Sequence, residues 1–178
     1  DFDSLYKAGT ISYEAGEWAL AQQYFSLAVA RNDSNPQLLY MLANCYYQMR
    51  SYHAAQQHIQ HALDLDPTNV QYHLLMGEVL SASRDFQNAV VELEIAYGSN
   101  ALENKDAISL QLANSYFELG NYDKAKSYYE QVLNKEDIPN DKVVDERYRY
   151  AETLVKNKQY ESAVKQWEII KATRNIYL

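Results

Sequence analysis

Apolar residues recur along the chain with the spacing of one helix face. Leu39, Leu42, Ala43 and Tyr46 stand at positions i, i+3, i+4 and i+7, which lie on one side of an α-helix. A second stretch with helical spacing follows over residues 55–63. The pattern therefore predicts two consecutive helices, joined by a short turn, that bury their apolar faces against each other.

This pattern occurs five times. In each copy an alanine follows an aromatic residue by three positions and precedes a bulky residue by four. The alanines are separated by 34, 34, 36 and 38 residues, and such a period predicts an array of stacked helix pairs. The five sets are Trp18, Ala21 and Phe25; Tyr52, Ala55 and Ile59; Phe86, Ala89 and Leu93; Tyr122, Ala125 and Tyr129; and Tyr160, Ala163 and Trp167.

Each pair has a first and a second helix. The spacing predicts first helices over 3–15, 36–49, 70–83, 105–119 and 141–156, and second helices over 18–31, 52–65, 86–98, 122–134 and 160–173. The two longer steps predict larger loops near 99–104 and 135–141. Gly16 and Gly120 stand where the end of a first helix needs a positive φ.

The repeated unit resembles the tetratricopeptide repeat, whose pattern is W-x2-L-G-x2-Y…A-x3-F…P over 34 residues. The second unit matches it at Leu39, Leu42, Ala43, Tyr46, Ala55, Ile59 and Pro67. Arg147 and Tyr150 depart from the pattern in the fifth unit. The resemblance implies an all-α fold, a right-handed α-solenoid of five antiparallel helix pairs in one domain over residues 1–178. The expected repeats are 2–35, 36–69, 70–103, 106–139 and 144–177.

Small residues also recur on the first helices, where we expect the two helices of a pair to approach closely. The repeated alanines are small for the same reason, and the bulky residues that follow them are expected to fill the adjacent gap. The small first-helix residues are Gly9, Ala43, Gly77, Ala113 and Ala151.

The resemblance also implies a binding surface. In this family the first helices line a concave groove that binds a protein or peptide partner. The expected groove residues are Tyr6, Tyr13, Tyr40, Asn44, Tyr47, Gln48, Leu74, Glu78, Leu110, Asn114, Phe117 and Tyr148, with Thr10, Ser81, Glu118, Glu152 and Lys156 at the remaining inward positions.

Tyrosine suits protein recognition because it gives a stiff contact area with a polar tip. Asn44 and Asn114 could each offer a donor and an acceptor to a peptide backbone. The alternative is that some of these tyrosines only pack between neighbouring units. The carboxylate clamp of some family members is not expected, because Tyr6 and Thr10 occupy its lysine and asparagine positions.

Composition narrows the class of protein. Hydrophobic residues make up 47% and charged residues 22% of the chain, which has only five Gly and three Pro, so disorder is not expected. The net charge of −8 disfavours a nucleic-acid partner. The apolar stretches are too short for direct membrane insertion. We expect a soluble protein, with the cytoplasm slightly favoured over a periplasmic or membrane-tethered location.

The sequence offers little for catalysis. Cys45 is the single cysteine and is expected to be a buried, inert thiol. His53, His58 and His61 share one predicted helix and are expected to be solvated, since a metal site would need further ligands. We therefore predict no catalytic residues, no metal site, no cofactor and no enzymatic activity.

The leading hypothesis is a scaffold or adaptor that binds a partner segment. One alternative is an oligomerising or accessory module of a secretion, envelope or polymer-export complex; another is the regulatory array of a multidomain enzyme. The sequence after the fifth alanine ends in Ile169, Ile170 and residues 176–178 with no further amphipathic helix. Repeat arrays need a polar cap, so we expect a continuation of the chain, a partner or a second copy to cover this end.

Overall fold

The computed structural model describes residues 1–175, and within them the fold is all-α, as expected. Ten α-helices and one short 3-10 helix occur in this part of the chain. Their bounds agree with the sequence-based ranges to within a few residues. The first helices are α1 (Phe2–Glu14), α3 (Pro36–Gln48), α5 (Val70–Ala82), α7 (Asp106–Glu118) and α9 (Val144–Lys156); the second helices are α2 (Trp18–Val29), α4 (Tyr52–Leu65), α6 (Phe86–Gly98), α8 (Tyr122–Leu133) and α10 (Tyr160–Asn175).

The chain divides into two compact units, Asp1–Ala96 and Tyr97–Leu178. In the first unit α1 packs on α2 and α3 on α4, and successive pairs meet where α2 contacts α3 and α4 contacts α5. In the second unit α7 packs on α8, α9 packs on α10, and α8 contacts α9. Each unit thus builds its core from paired antiparallel helices. The assignment of residues 1–178 to one domain stays a prediction.

The same turn joins the two helices of every pair. A backbone N–H just after the turn donates to the carbonyl five residues earlier, as from Ser51 to Tyr46 at 2.8 Å and from Gln159 to Leu154 at 2.8 Å. This is the bond of a Schellman motif, which needs a left-handed residue immediately before the donor. The left-handed residues are Gly16, Arg50, Arg84, Gly120 and Lys158, with φ between 59° and 74°.

The close approach within pairs is confirmed. The five repeated alanines are fully buried. A Cβ added to Gly9 would lie 2.5 Å from the ring of Phe25, and one added to Gly77 would lie 2.6 Å from Cγ of Leu93. The bulky residue of the second helix therefore occupies the space that a side chain on the first helix would need.

The burial expected for the bulky residue of the fifth pair, Trp167, is not found. The bulky residues of the other four pairs are completely buried, but Trp167 is 41% exposed. In the first, second and fourth pairs, the first helix of the next pair packs against the second helix, and within residues 1–175 no first helix follows α10. The expectation that something covers the C-terminal end depends partly on Ile176, Tyr177 and Leu178. These three residues lie outside the described part of the chain.

The loop before α9 also differs from expectation. The fifth first helix was predicted from residue 141, but a 3-10 turn over Asn140–Lys142 precedes α9, which begins at Val144. Arg147 on α9 is 4% exposed, and burial lowers the pKa of its guanidinium. It donates to Asn140 Oδ1 at 2.7 and 3.0 Å, to Gln166 Oε1 at 2.9 Å and to the Leu133 carbonyl at 3.0 Å. One buried cation thus ties the loop to α8 and α10.

Candidate functional site

The expected groove residues of the first unit lie on α1, α3 and α5, and we call them the first-helix face. Every residue of this face is at least partly exposed, whereas the neighbouring small residues Gly9, Ala43 and Gly77 are buried. The face therefore lies on a different side of these helices from the joint with the second helices. Its members are Tyr6, Tyr13, Tyr40, Asn44, Tyr47, Gln48, Leu74 and Glu78.

Amide and hydroxyl groups connect α1 to α3 across this face. The Asn44 side-chain amide donates to the hydroxyl of Tyr13, and Gln48 Nε2 donates to Asn44 Oδ1 at 3.3 Å. The ring of Tyr13 also packs edge-on against Trp18, 5.4 Å away between ring centroids. Asn44 is thus held by two neighbours, which fix the orientation of its side-chain amide.

Aromatic rings connect α3 to α5 and to α4. Tyr40 stacks on the buried Tyr72 with ring centroids 5.3 Å apart, and Tyr47 lies 6.1 Å from Tyr52. Partial burial raises the pKa values of the Tyr40 and Tyr47 hydroxyls, and the negative charge of Glu78 acts in the same direction. Both hydroxyls therefore remain protonated donors at neutral pH.

Tyr6 contributes at the N-terminal end of the face. Its ring stacks on Phe2 at 6.0 Å and lies 6.2 Å from Phe25, while its hydroxyl is 3.8 Å from the sulfur of Met41. The packing role considered for the tyrosines is thus real, since each of these rings touches a neighbouring side chain. Because the rings remain partly exposed, packing and recognition are compatible for the same residue.

In the second unit, some of the expected groove residues line an apolar cavity of about 370 Å³. Phe117 from α7 and Tyr148 from α9 both line it, and Tyr148 is 51% exposed. Glu152, Val155 and Lys156 from α9 and Trp167 from α10 complete the lining. The repeat pattern predicts that Trp167 lies in the joint within the fifth pair and does not predict its place in this cavity.

Leu110 and Asn114 lie on α7, and the structure does not include them in this cavity's lining. Asn114 Oδ1 accepts a hydrogen bond of 2.6 Å from the buried Tyr129 hydroxyl. Arg149 pairs with Glu118 at 2.9 Å and lies 5.8 Å from the centre of the Phe117 ring. This ion pair thus lies beside the Phe117 ring, and neither of its members is among the residues that line the cavity.

The structure also gives the surroundings of the single cysteine and of the histidines on α4. Cys45 is fully buried, as expected, and burial raises the pKa of its thiol to about 12. Of the three histidines of α4 that were expected to be solvated, His53 is exposed, whereas His58 and His61 are partly buried, and His58 stacks on Tyr46 at 5.4 Å between ring centroids. Burial, helped by nearby His61, lowers the pKa of His58. In residues 1–175 no group of three potential metal-ligating side chains is found.

Comparison with known sequences supports the repeat pattern. One tetratricopeptide repeat model matches residues 12–79 and a second matches residues 108–137, which together cover more than half of the chain. No curated protein matches the sequence. Across the described helices, none is long and apolar enough to cross a membrane.

Solved structures share the fold at low sequence identity. MamA 41-end from Desulfovibrio magneticus RS-1 superposes with a TM-score of 0.84 at 14% identity, covering 98% of this chain and 96% of that chain. YrrB, described as a TPR protein with an unusual peptide-binding site, gives a TM-score of 0.83 at 19% identity and covers 98% and 87%. At these identities the likeness concerns the fold.

Proposed function

Because this chain belongs to the tetratricopeptide repeat family, whose members are protein–protein interaction scaffolds, we propose that it is a non-enzymatic scaffold that binds an extended partner segment along its first helices. The observation that carries the proposal is the first-helix face itself. Tyr40, Asn44 and Tyr47 project from one helix, are partly exposed, and are held by contacts to the helices on either side.

Pre-organisation is the physical basis of this binding. A partner that orders flexible side chains on binding loses about 0.5–1.5 kcal/mol for each one, whereas rings already packed on Tyr72 and Tyr52 lose less. The hydroxyls of Tyr40 and Tyr47 and the fixed amide of Asn44 provide hydrogen-bonding groups in the same area. Such a surface favours an extended backbone, which carries donors and acceptors at regular intervals.

The cavity of the second unit supports a separate proposal, the recognition of a single side chain within that unit. Its aromatic lining by Phe117, Tyr148 and Trp167 favours an apolar or aromatic side chain of the partner. Glu152 and Lys156 at the same cavity provide one charge of each sign, so either charge on the flanking partner residue finds an opposite one. The peptide-binding site named for YrrB is consistent with a peptide as the class of partner.

The test begins with a phage-displayed library of random linear peptides selected on the full chain. Selected peptides are expected to bind in fluorescence anisotropy and to lose binding at least tenfold to the triple variant Tyr40→Ala/Asn44→Ala/Tyr47→Ala, about 1.4 kcal/mol or more. The matched control is Gln23→Ala/Tyr24→Ala/Gln57→Ala, which removes one tyrosine and two amides from second helices α2 and α4 and should bind normally.

The triple variant also removes contacts between helices, so folding must be checked by circular dichroism. A second variant, Leu74→Lys, adds bulk and charge to the face without removing any of its hydrogen bonds. Loss of binding in both variants, with normal helicity, supports the proposal. Unchanged binding to Leu74→Lys and to a folded triple variant would move the site away from this face.

A further inference from the structure

The two compact units of the chain differ strongly in charge. Residues 1–96 contain eleven acidic residues and four lysine or arginine residues, which gives a net charge of −7. Residues 97–178 contain thirteen and twelve, which gives a net charge of −1. The first-helix face belongs to the strongly acidic unit, and such a charge attracts basic partners over distances longer than direct contact.

The first-helix face adds a charge of its own. Glu78 on α5 is its single charged member, and it is partly buried. The four basic residues of this unit are not members of the face, and two of them, Arg50 and Arg84, are the left-handed residues of the turns after α3 and α5. The charge of the face and the net charge of its unit therefore have the same sign.

Glu78 lies near two tyrosines of α3. Burial is the main cause of the raised pKa values of the Tyr40 and Tyr47 hydroxyls, and the negative charge of Glu78 adds to both. The ring of Tyr40 is held against Tyr72 of α5, and the ring of Tyr47 packs against Tyr52 of α4. One carboxylate and two partly exposed aromatic rings thus occupy the same area of the face.

This area suits a positively charged side chain. A lysine ammonium and an arginine guanidinium carry only donors, while a carboxylate carries only acceptors and a tyrosine hydroxyl can accept as well. The negative face of an aromatic ring attracts a cation placed over it. Hydrogen bonds between ionised groups are also stronger than those between neutral groups. A cation at this place can therefore donate to Glu78 and lie against the ring of Tyr40 or Tyr47.

The second unit shows the same combination made within the chain. Arg149 of α9 bonds to Glu118 at 2.9 Å and lies 5.8 Å from the centre of the Phe117 ring. In the repeat, Phe117 corresponds to Tyr47, and Arg149 corresponds to Leu75 of α5, which is buried and apolar. The first unit thus has a ring and a carboxylate, while leucine takes the position that supplies the cation in the second unit.

We propose that the partner segment of the first-helix face is basic, and that one of its lysine or arginine side chains binds at Glu78 beside Tyr40 and Tyr47. This inference rests on the proposed function and names the chemistry of the partner. An acidic side chain at the same place would bring two carboxylates together, which opposes binding. The charge of the whole unit speeds the encounter with a basic segment, and Glu78 fixes the register of that segment along the face.

The experiment uses peptides selected on the full chain from the random library. We expect them to share a lysine or arginine, and replacing that residue by glutamine should weaken binding about tenfold in fluorescence anisotropy. Glu78→Gln should weaken the parent peptide by a similar factor and leave the glutamine-substituted peptide almost unaffected. The matched control is Asp64→Asn, which removes one charge from an exposed position on second helix α4 and should not change the affinity.

Charge reversal tests the contact itself. Glu78→Lys should reject the basic peptide and bind a version with glutamate in place of its basic residue. Circular dichroism checks that each variant is folded, and Glu78→Gln keeps the size of the side chain. Peptides that lose binding to the triple variant but bind Glu78→Gln normally overturn this inference and leave the proposed function intact. Binding that survives the folded triple variant overturns both, and an equal loss in Asp64→Asn overturns the contact with Glu78.

Discussion

Tyr129 and Trp167 occupy equivalent positions in two neighbouring helix pairs, yet one is completely buried and the other 41% exposed. Both follow a buried alanine by four residues and both lie on a second helix. The difference is that α9 packs against α8, whereas within the described residues no first helix follows α10. Burial in a repeat array therefore depends on the neighbouring pair as much as on a residue's own pair.

The largest expected effect tests this difference directly. Tyr129→Ala should destabilise the chain by about 3–5 kcal/mol, because it leaves a closed cavity and removes the bond to Asn114. Trp167→Ala removes a larger side chain but opens no closed cavity, so we expect about 1–2 kcal/mol. Urea unfolding followed by circular dichroism measures both values, and equal losses would contradict the account.

Arg147 gives a second contrast between the last pair and the regular ones. The corresponding residue of α3 is Leu39, which is completely buried in an apolar cluster. Arg147→Ala should cost about 2–3 kcal/mol, since it leaves the buried Leu133 carbonyl and Gln166 amide without a donor. Arg147→Lys should recover only part of this loss, because an ammonium cannot reproduce the fork of a guanidinium. Full recovery with lysine, measured by urea unfolding, would show that charge alone is sufficient.

These contrasts mark the limit of what the sequence could predict. The repeat period and the spacing of apolar residues were sufficient to predict the ten helices and the burial of the five alanines. Both features depend on contacts within a helix pair. The repeat pattern places Trp167 in a buried joint because its neighbours within the pair match the pattern, but its burial also depends on the next first helix, and none follows α10 within residues 1–175. Arg147 is a visible departure from the pattern, but its burial depends on acceptors from the loop, α8 and α10 that only the folded structure brings together.

The candidate site was predictable to a similar degree. The repeat pattern identifies first-helix residues, such as Tyr40 and Tyr47, that are partly exposed in the structure. It did not reveal that Asn44 is already bonded to Tyr13 and Gln48, since this depends on side-chain conformations across two helices. The role of the expected groove residues in binding stays a prediction.

A smaller effect is expected where a side chain is added inside a regular joint. Gly77→Ala should destabilise by about 1–2 kcal/mol, because the new Cβ would lie 2.6 Å from Leu93 and force the pair apart. Gly98→Ala is the matched control, since nothing lies within 4 Å of a Cβ there, and it should be neutral or slightly stabilising. Differential scanning calorimetry compares the two, and a stabilised Gly77→Ala would mean that the joint is looser than described.

The smallest effects concern the turns, which the regular pairs and the last pair share. Arg50 and Lys158 have φ values of 61° and 59°, where glycine avoids steric cost. Arg50→Gly and Lys158→Gly should each stabilise by up to about 1 kcal/mol, and by similar amounts because the turn lies within a pair. Thermal unfolding measures both, and a gain confined to one variant would show that the turns are not equivalent.

The central claim is that a partner segment binds to the first helices and not to the second ones. The most direct measurement is nuclear magnetic resonance of the labelled chain, titrated with a peptide selected on it. We expect the largest amide shifts on α1, α3 and α5 around Tyr40, Asn44 and Tyr47, with small changes on α2 and α4. Shifts centred on α2 and α4, with α3 unchanged, would contradict it.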